Sequence, residues 1–358
     1  MSYESLVIEE RSTNKKKQKP ETKEIPFGRK FTDHMFTMDY DEVKGWHDPK
    51  IVPYQPINLD PAAMIFHYGQ TVFEGLKAYR TDDERVLLFR PDRNLARLNK
   101  SSERLSIPAL DEDKVMDYLL ELVRLERDWV PSFEGTSLYI RPFIISTEPN
   151  LAVAPSKSYT FMVILSPVGP YFSGGIHPVQ INVEDQFTRA VKGGTGMAKT
   201  AGNYSSGYQA QAKASETGNA DVLWLDGVEK KYIEEVGSMN IFFKIDGEVV
   251  TPALNGSILK GITRTSILEV LNDWNVPVTE RKISIDELAE AYDAGKLEEA
   301  FGTGTAAVIS PVGELNWKGK KMEINNREIG PLSQELYDTI TGIQRGRRED
   351  TYGWTVEV

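Results

Sequence analysis

The residues best placed to do chemistry stand in one stretch, Gly193-Gly-Thr-Gly-Met-Ala-Lys199-Thr-Ala-Gly-Asn-Tyr204. Small neighbours surround a single lysine, Lys199, so other groups can approach its amine closely. One reading is a phosphate loop, because Gly193 and Lys199-Thr200 stand where G-x-x-x-x-G-K-[ST] puts them, although Ala198 replaces the glycine before the lysine. Such a loop also starts a helix at the Lys-Ser/Thr pair, whereas here the helix-compatible run begins near Ser205. A second reading is a covalent lysine: room for a planar cofactor, and an amine drawn toward neutrality by partial desolvation. A solvated loop lysine is the third.

A carboxylate follows at Glu235, in Tyr232-Ile-Glu-Glu-Val-Gly-Ser-Met-Asn240, where acids interrupt a strand pattern. A pyridine ring joined to Lys199 needs a carboxylate at its ring nitrogen, since the protonated ring is the electron sink for a carbanion at Cα. A surface acid is the alternative. Val222 to Asp226 resembles a Walker B strand, but Asp226-Gly227 is a turn signal. Phe301-Gly-Thr-Gly-Thr-Ala-Ala307 contains G-x-G-x-x-A, but no acidic residue closes a clear βαβ unit after it. It reads as a tight turn presenting backbone N–H groups.

The elements that must position these residues follow from periodicity. Thr37 to Tyr40 and Pro61 to Phe66 read as strands, and His67 as a core or turn histidine. Val86 to Phe89 reads as a strand leading into a helix with Pro91 in its first turn and Leu95, Leu98 and Leu105 on one face. Arg93, Arg97, Lys100 and Arg104 form a basic stripe on another face, a solvated surface by itself. Asp111 caps a helix carrying Val115, Leu119, Leu122 and Leu125. Ser137 to Ser146 and Tyr159 to Val168 are β-rich, with Pro142 implying an edge or bulge. Later come a strand at Val179 to Glu184, a helix at Ser205 to Thr217, and hairpins turning at Asp226-Gly227 and Asp246-Gly247. A helix after Gly261 directs the N–H groups of Ile262 and Thr263 outward from its positive end. Ser284 caps another with Glu287, and Pro331 to Arg345 is the closing helix. The expected domains are a mobile segment over 1–24, a smaller N-terminal α/β domain over 25–168, a linker over 169–178 and a larger domain over 179–358 with a barrel-like sheet.

Composition narrows the function. The 358 residues carry a formal charge of −11 with a pI near 5.1, which argues against nucleic acid or an anionic membrane as principal partner. With no cysteine, there is no disulfide, thiol nucleophile or thiolate metal site, compatible with a reducing cytoplasm. Apolar runs are strand-length, so neither a membrane span nor secretion is indicated. Four scattered histidines give no metal-ligand spacing.

As a set, these stretches resemble the branched-chain amino acid aminotransferases of fold type IV, over nearly the whole chain. The resemblance rests on Phe27-Gly-Arg-Lys-Phe-Thr-Asp-His-Met35, His67-Tyr-Gly, Val72-Phe-Glu-Gly75, Leu138-Tyr-Ile-Arg-Pro142, Glu148-Pro-Asn-Leu151, the Lys199 loop with Gly202-Asn-Tyr204, Glu235-Val-Gly-Ser-Met-Asn240, Leu254-Asn-Gly256 and Phe301-Gly-Thr-Gly-Thr-Ala306. It implies an α+β fold, pyridoxal 5′-phosphate held as a Schiff base on Lys199, Glu235 at the pyridine nitrogen and Tyr204 at the ring hydroxyl. It also implies Arg97, Ile262, Thr263, Ser238 and Thr305 around the phosphate with Arg189 nearby, and Thr305-Ala306 under the substrate carboxylate. The side-chain pocket would be Phe27, Tyr68, Phe73, Tyr139 and Tyr171, with Leu151 and Val153 reaching across from a partner in a homodimer. Arg141 would receive the side-chain carboxylate of glutamate. The reaction implied is reversible, ping-pong transfer from leucine, isoleucine or valine to 2-oxoglutarate. A D-amino-acid aminotransferase or related lyase is the alternative within the class, and a P-loop nucleotide binder the alternative outside it. Relatives with a Cys-x-x-Cys after the late glycine turn would carry it at Ala307 and Ser310, so that thiol switch is absent here.

Overall fold

The computed structural model describes residues 5–10, 12, 15–172 and 175–358. They fall into two compact units. The first comprises the chain through Tyr171 together with Ala198–Ala201 and Gly342–Val358; the second comprises Phe172–Met197 and Gly202–Thr341. The chain passes from the first unit to the second between Tyr171 and Phe172, and two later segments group with the first unit. Ala198–Ala201 counts with the first unit because Lys199 O accepts from Phe73 N–H at 3.0 Å and Thr200 forms a β-bridge with Val72. The C-terminus does so because strand Thr355–Glu357 pairs with Val86–Phe89. With both counted, the first unit is the larger, the reverse of the expected sizes. Residues 1–4, 11, 13 and 14 of the expected mobile segment lie outside the described residues, but its other parts are anchored. Val7–Ile8 pairs in parallel with Lys50 and Ile51, and Lys17 Nζ donates to Thr32 O at 2.7 Å while lying 4.3 Å from the Tyr54 ring centre.

The first unit is a nine-stranded sheet, antiparallel apart from that short edge strand. Helices Pro91–Arg104 and Glu112–Leu125 start as expected, the first on Pro91 and the second on Asp111, whose carboxylate accepts from Lys114 N–H. They bury Leu95, Leu98, Val115, Leu119 and Leu122 with Phe36, Leu88, Ile140 and Phe161 of the sheet in one core. Each such side chain contributes about 1.5–3 kcal/mol by leaving water. Residues Met64–Tyr68 form a short helix, not the end of a strand over Pro61 to Phe66. The helix closes on Gly69 in the left-handed region, and the apolar run was too short to separate the two periods.

Pro142 lies in the interior of the sheet instead of at an edge. It pairs with Val163 on one side. On the other side the neighbouring strands Thr71–Phe73 and Leu76–Arg80 are interrupted at Glu74-Gly75. Pro142 O accepts from Glu74 N–H at 2.7 Å, so the missing proline N–H faces that interruption and no ladder bond is lost.

The second unit is a nine-stranded mixed sheet, curled like half a barrel. Its core gathers Ile181, Leu223, Ile241, Phe243 and Leu315 with Ile285 and Leu288 of helix Ile285–Asp293. Asp246-Gly247 is a two-residue hairpin turn with φ of 51° and 82°, the left-handed pair that a type I′ turn requires. Asp226-Gly227 is not. Strands Asp221–Leu225 and Ile233–Val236 are joined by a longer loop, in which the Asp226 carboxylate accepts N–H bonds from Val228, Glu229, Lys231 and Tyr232. Burial raises the Asp226 pKa, but those four donors outweigh it and lower the value to about 2. Asp226 therefore has a structural task, which accounts for it without nucleotide chemistry.

Candidate active site

The first unit builds its chemistry at the interruption in its sheet. Strand Thr71–Phe73 gains an extra neighbour in Lys199-Thr200, since Thr200 Oγ1 donates to Thr71 O at 2.7 Å and Lys199 N–H donates to Ser101 Oγ at 2.9 Å. The lysine backbone is thus pinned on both sides, and its side chain has a fixed origin. Lys199 is half-buried, with Nζ 4.9 Å from the Phe73 ring centre. Burial of the amine and, next, the positive charge of Arg97 lower its pKa from 10.5 to about 8, against the opposing pull of Glu74. An amine so tuned is partly unprotonated near neutrality and can act as a nucleophile and as a proton carrier.

Four expected site residues continue from there. The Arg141 guanidinium lies 4.8 Å from the Phe73 ring centre and 5.3 Å from that of Tyr139, and Nη2 donates to Tyr139 Oη at 3.1 Å. Phe27 meets Tyr139 edge-to-face at 5.0 Å. Arg141 Nε is buried with no hydrogen-bond partner, a donor a carboxylate would satisfy. Gly75 makes the arrangement possible: a Cβ there would stand 2.0 Å from Tyr139 Oη. Gly75→Ala is therefore expected to displace Tyr139 and lower kcat/KM by about fivefold or more, the rate equivalent of a 1–3 kcal/mol overpacking cost. Steady-state kinetics beside a thermal melt checks this; unchanged kinetics would mean that Tyr139 does not line the site.

The basic stripe on helix Pro91–Arg104 is divided in the fold. Arg93 and Lys100 side chains are 62% and 63% exposed and pair with Asp92 and Glu103, whereas Arg97 is 13% exposed and turns to the fully buried Glu74. Glu74 carried no expected role of its own; its signals are an acid between apolar strand residues and its place in the stretch Val72-Phe-Glu-Gly75. Tyr68 and Leu151 form a separate pair, Tyr68 Oη donating to Leu151 O, and both are exposed, as are Val153 and Tyr171.

The second unit gathers its own set at one end of the curled sheet. Strands Asn240–Ile245 and Leu297–Gly304 begin and end there, with Asn240 opposite Thr303. That register brings the turn holding Ser238 beside the turn holding Thr305 and Ala306, and Gly302 and Gly304 leave room for Met239 against them. Asn240 also donates to Leu259 O at 2.9 Å and crowds Gly261, the N-cap of helix Ile262–Asp273. Gly261 has no side chain to cap Ile262 and Thr263, so this helix start suits an anion by backbone N–H and dipole.

Glu235 is no surface acid. It is 4% exposed, accepts from Leu259 N–H at 2.7 Å, and lies 3.4 Å from Arg189 Nε. Arg189 Nη2 in turn donates to Ser257 O, and Gly196 packs on the same carbonyl so closely that a Cβ would come within 2.1 Å. Asn203 staples the glycine loop through Thr195, accepting from Oγ1 and donating to the carbonyl, both at 2.7 Å. Tyr204 follows, half-buried, in the short helix Gly202–Ser205. In the second unit a fixed buried carboxylate and an uncapped helix start suit a ring nitrogen and a phosphate; in the first unit an amine with lowered pKa suits an aldehyde.

The chain is an aminotransferase of class IV: the model of the family described as amino-transferase class IV matches residues 71–315. Within that class the chain belongs to the branched-chain amino acid aminotransferases. It is 62% identical over 358 residues to branched-chain-amino-acid aminotransferase 2 of Bacillus subtilis (strain 168), covering 100% of this chain and 98% of that protein. Among solved structures it is similar to the branched-chain amino acid aminotransferase from Escherichia coli, at 26% identity and a TM-score of 0.73, covering 91% of this chain and 99% of that one. The T.th. branched-chain amino acid aminotransferase with pyridoxamine 5′-phosphate matches at 26% identity and a TM-score of 0.76 over the same shares. The nucleotide-binding alternative is thereby set aside.

Proposed function

We propose that this protein transfers the amino group of L-leucine, L-isoleucine or L-valine reversibly to 2-oxoglutarate, by a ping-pong route with pyridoxal 5′-phosphate as cofactor. The observation that carries the reading is the half-buried Lys199 amine, its pKa lowered to about 8, within the aromatic and cationic group of Phe73, Tyr139 and Arg141. When bound, the cofactor supplies the aldehyde that accepts the amino group and the ring that withdraws electrons from Cα.

Lys199 holds the aldehyde and moves the proton to and from the substrate Cα. Glu235 keeps the ring nitrogen protonated and Tyr204 bonds the ring hydroxyl. Arg97, the N–H groups of Ile262 and Thr263, Ser238 and Thr305, with Arg189, hold the phosphate. The N–H groups at Thr305-Ala306 receive the substrate carboxylate. Phe27, Tyr68, Phe73, Tyr139 and Tyr171 take the branched side chain, joined by Leu151 and Val153 of a second copy in a homodimer; at 63% and 89% exposed, these two are available for that contact. Arg141 takes the distal carboxylate of glutamate, which needs a cation where leucine needs apolar surface. Among the described residues no helix is long and apolar enough to cross a membrane, and the cytoplasm is the proposed compartment.

Assays with 2-oxoglutarate as acceptor test the reading. L-leucine should be turned over at least about a hundredfold faster than D-alanine, since the two place their Cα protons on opposite faces of the ring and differ in apolar surface by more than about 2 kcal/mol. Faster turnover of D-alanine would assign the enzyme to the D-amino-acid branch of the class.

A further inference from the structure

Glu74 has no solvent exposure. A carboxylate in such a place is costly unless every lone pair is answered, and here each oxygen is. Oε1 accepts from Arg97 Nε at 2.7 Å; Oε2 accepts from Arg97 Nη2 at 2.9 Å, from Asn94 Nδ2 at 2.7 Å, and from Gly75 N–H at 3.2 Å. The two bonds to Arg97 are parallel and bidentate, an arrangement that fixes the plane of a guanidinium and not merely its location. Asn94, 2% exposed, stands one turn before Arg97 on the same helix and fixes the carboxylate from its other side. Phe73, the neighbour of Glu74, donates to Lys199 O. One short turn, Phe73-Glu74-Gly75, therefore holds the backbone of the lysine, the plane of the arginine and the space for Tyr139.

We propose that Glu74 is the positioning residue of the phosphate site: by fixing the plane of Arg97 it makes that side chain a fork for the cofactor phosphate, and by sharing a turn with the partner of Lys199 it keeps that fork in register with the amine. The proposal rests on the assignment of Arg97 to the phosphate. A merely structural ion pair would hold the helix to the sheet and would not distinguish a phosphorylated ligand from its unphosphorylated form.

The test uses apoprotein titrated by visible absorbance with pyridoxal 5′-phosphate and, separately, with pyridoxal. The quantity read is the ratio of the two dissociation constants. In Glu74→Gln the preference for the phosphorylated form should fall by about tenfold or more, as expected for losing a bidentate charged contact, with pyridoxal affinity within about twofold of wild type. In an Arg97→Lys background the same substitution should change nothing further, because no fork is left to position. A preference in Glu74→Gln that is unchanged or increased overturns the proposal. Where Glu74→Gln does not fold, Glu74→Asp decides: it keeps the charge but withdraws the carboxylate from the two parallel bonds to Arg97, so a tenfold loss of preference supports the proposal and a wild-type preference overturns it. A wild type with equal affinity for the two ligands overturns the phosphate assignment itself and this inference with it.

Discussion

Replacing Lys199 by alanine should abolish transamination, lowering kcat by about 10⁴-fold or more, while the protein stays folded and colourless. The size follows from losing two functions at once, a nucleophile and a general acid–base group that by itself contributes about 10²–10⁴-fold. The fold should survive, because what binds this segment to the sheet is its backbone. Lys199 N–H reaches Ser101, Lys199 O receives Phe73 N–H, and Thr200 Oγ1 reaches Thr71 O. Alanine keeps all the main-chain bonds, and removing a half-buried amine whose pKa is lowered chiefly by burial relieves a desolvation cost. Circular dichroism and a thermal melt beside the leucine assay check the prediction. A variant with substantial activity would remove the lysine from the chemistry.

Glu235→Gln should cost less, but still about 10²–10³-fold in the half-reaction with L-leucine. Glutamine keeps the shape and can still accept from Leu259 N–H, but it cannot hold a proton on a ring nitrogen by charge. Losses of this order are typical when one fixed electrostatic partner of a developing charge is removed. The substitution also leaves Arg189 without its carboxylate neighbour in a place where both side chains are more than nine-tenths buried. Some loss of melting temperature should accompany the loss of rate, since breaking a buried pair leaves one charge uncompensated. Single-turnover absorbance separates the two effects. A wild-type half-reaction in a less stable protein would make Glu235 a structural residue only.

How much of this could be read from sequence depended on whether the deciding interaction was local. Pro91 at a helix start, the Asp111 and Ser284 caps and the Asp246-Gly247 hairpin are settled by neighbours in the chain, and each occurs where the residues indicate. Pro142 is a different case. Its place in the middle of a sheet depends on a gap between two other strands about 70 residues earlier, which no local rule detects. Asp226-Gly227 carries the same dipeptide signal as Asp246-Gly247, but the Asp226 side chain collects four N–H groups and opens the turn into a loop. Residues 198–201 follow a bridge to Val72, not their place along the chain. The site was legible as motifs and not as energetics. Glu235 stood equally well as a surface acid until its burial was known, Arg97 looked like one of four exposed cations, and the tie from Glu74 to Arg97 spans 23 residues with no periodic signature.

The central claim is a reversible covalent bond at one amine, and borohydride reduction of the protein loaded with pyridoxal 5′-phosphate, followed by peptide mass analysis, tests it most directly. The account predicts a single pyridoxyl adduct on Lys199, and none when L-leucine without an acceptor is added before the reductant. An adduct confined to any other lysine, or one at Lys199 that L-leucine does not prevent, would contradict it.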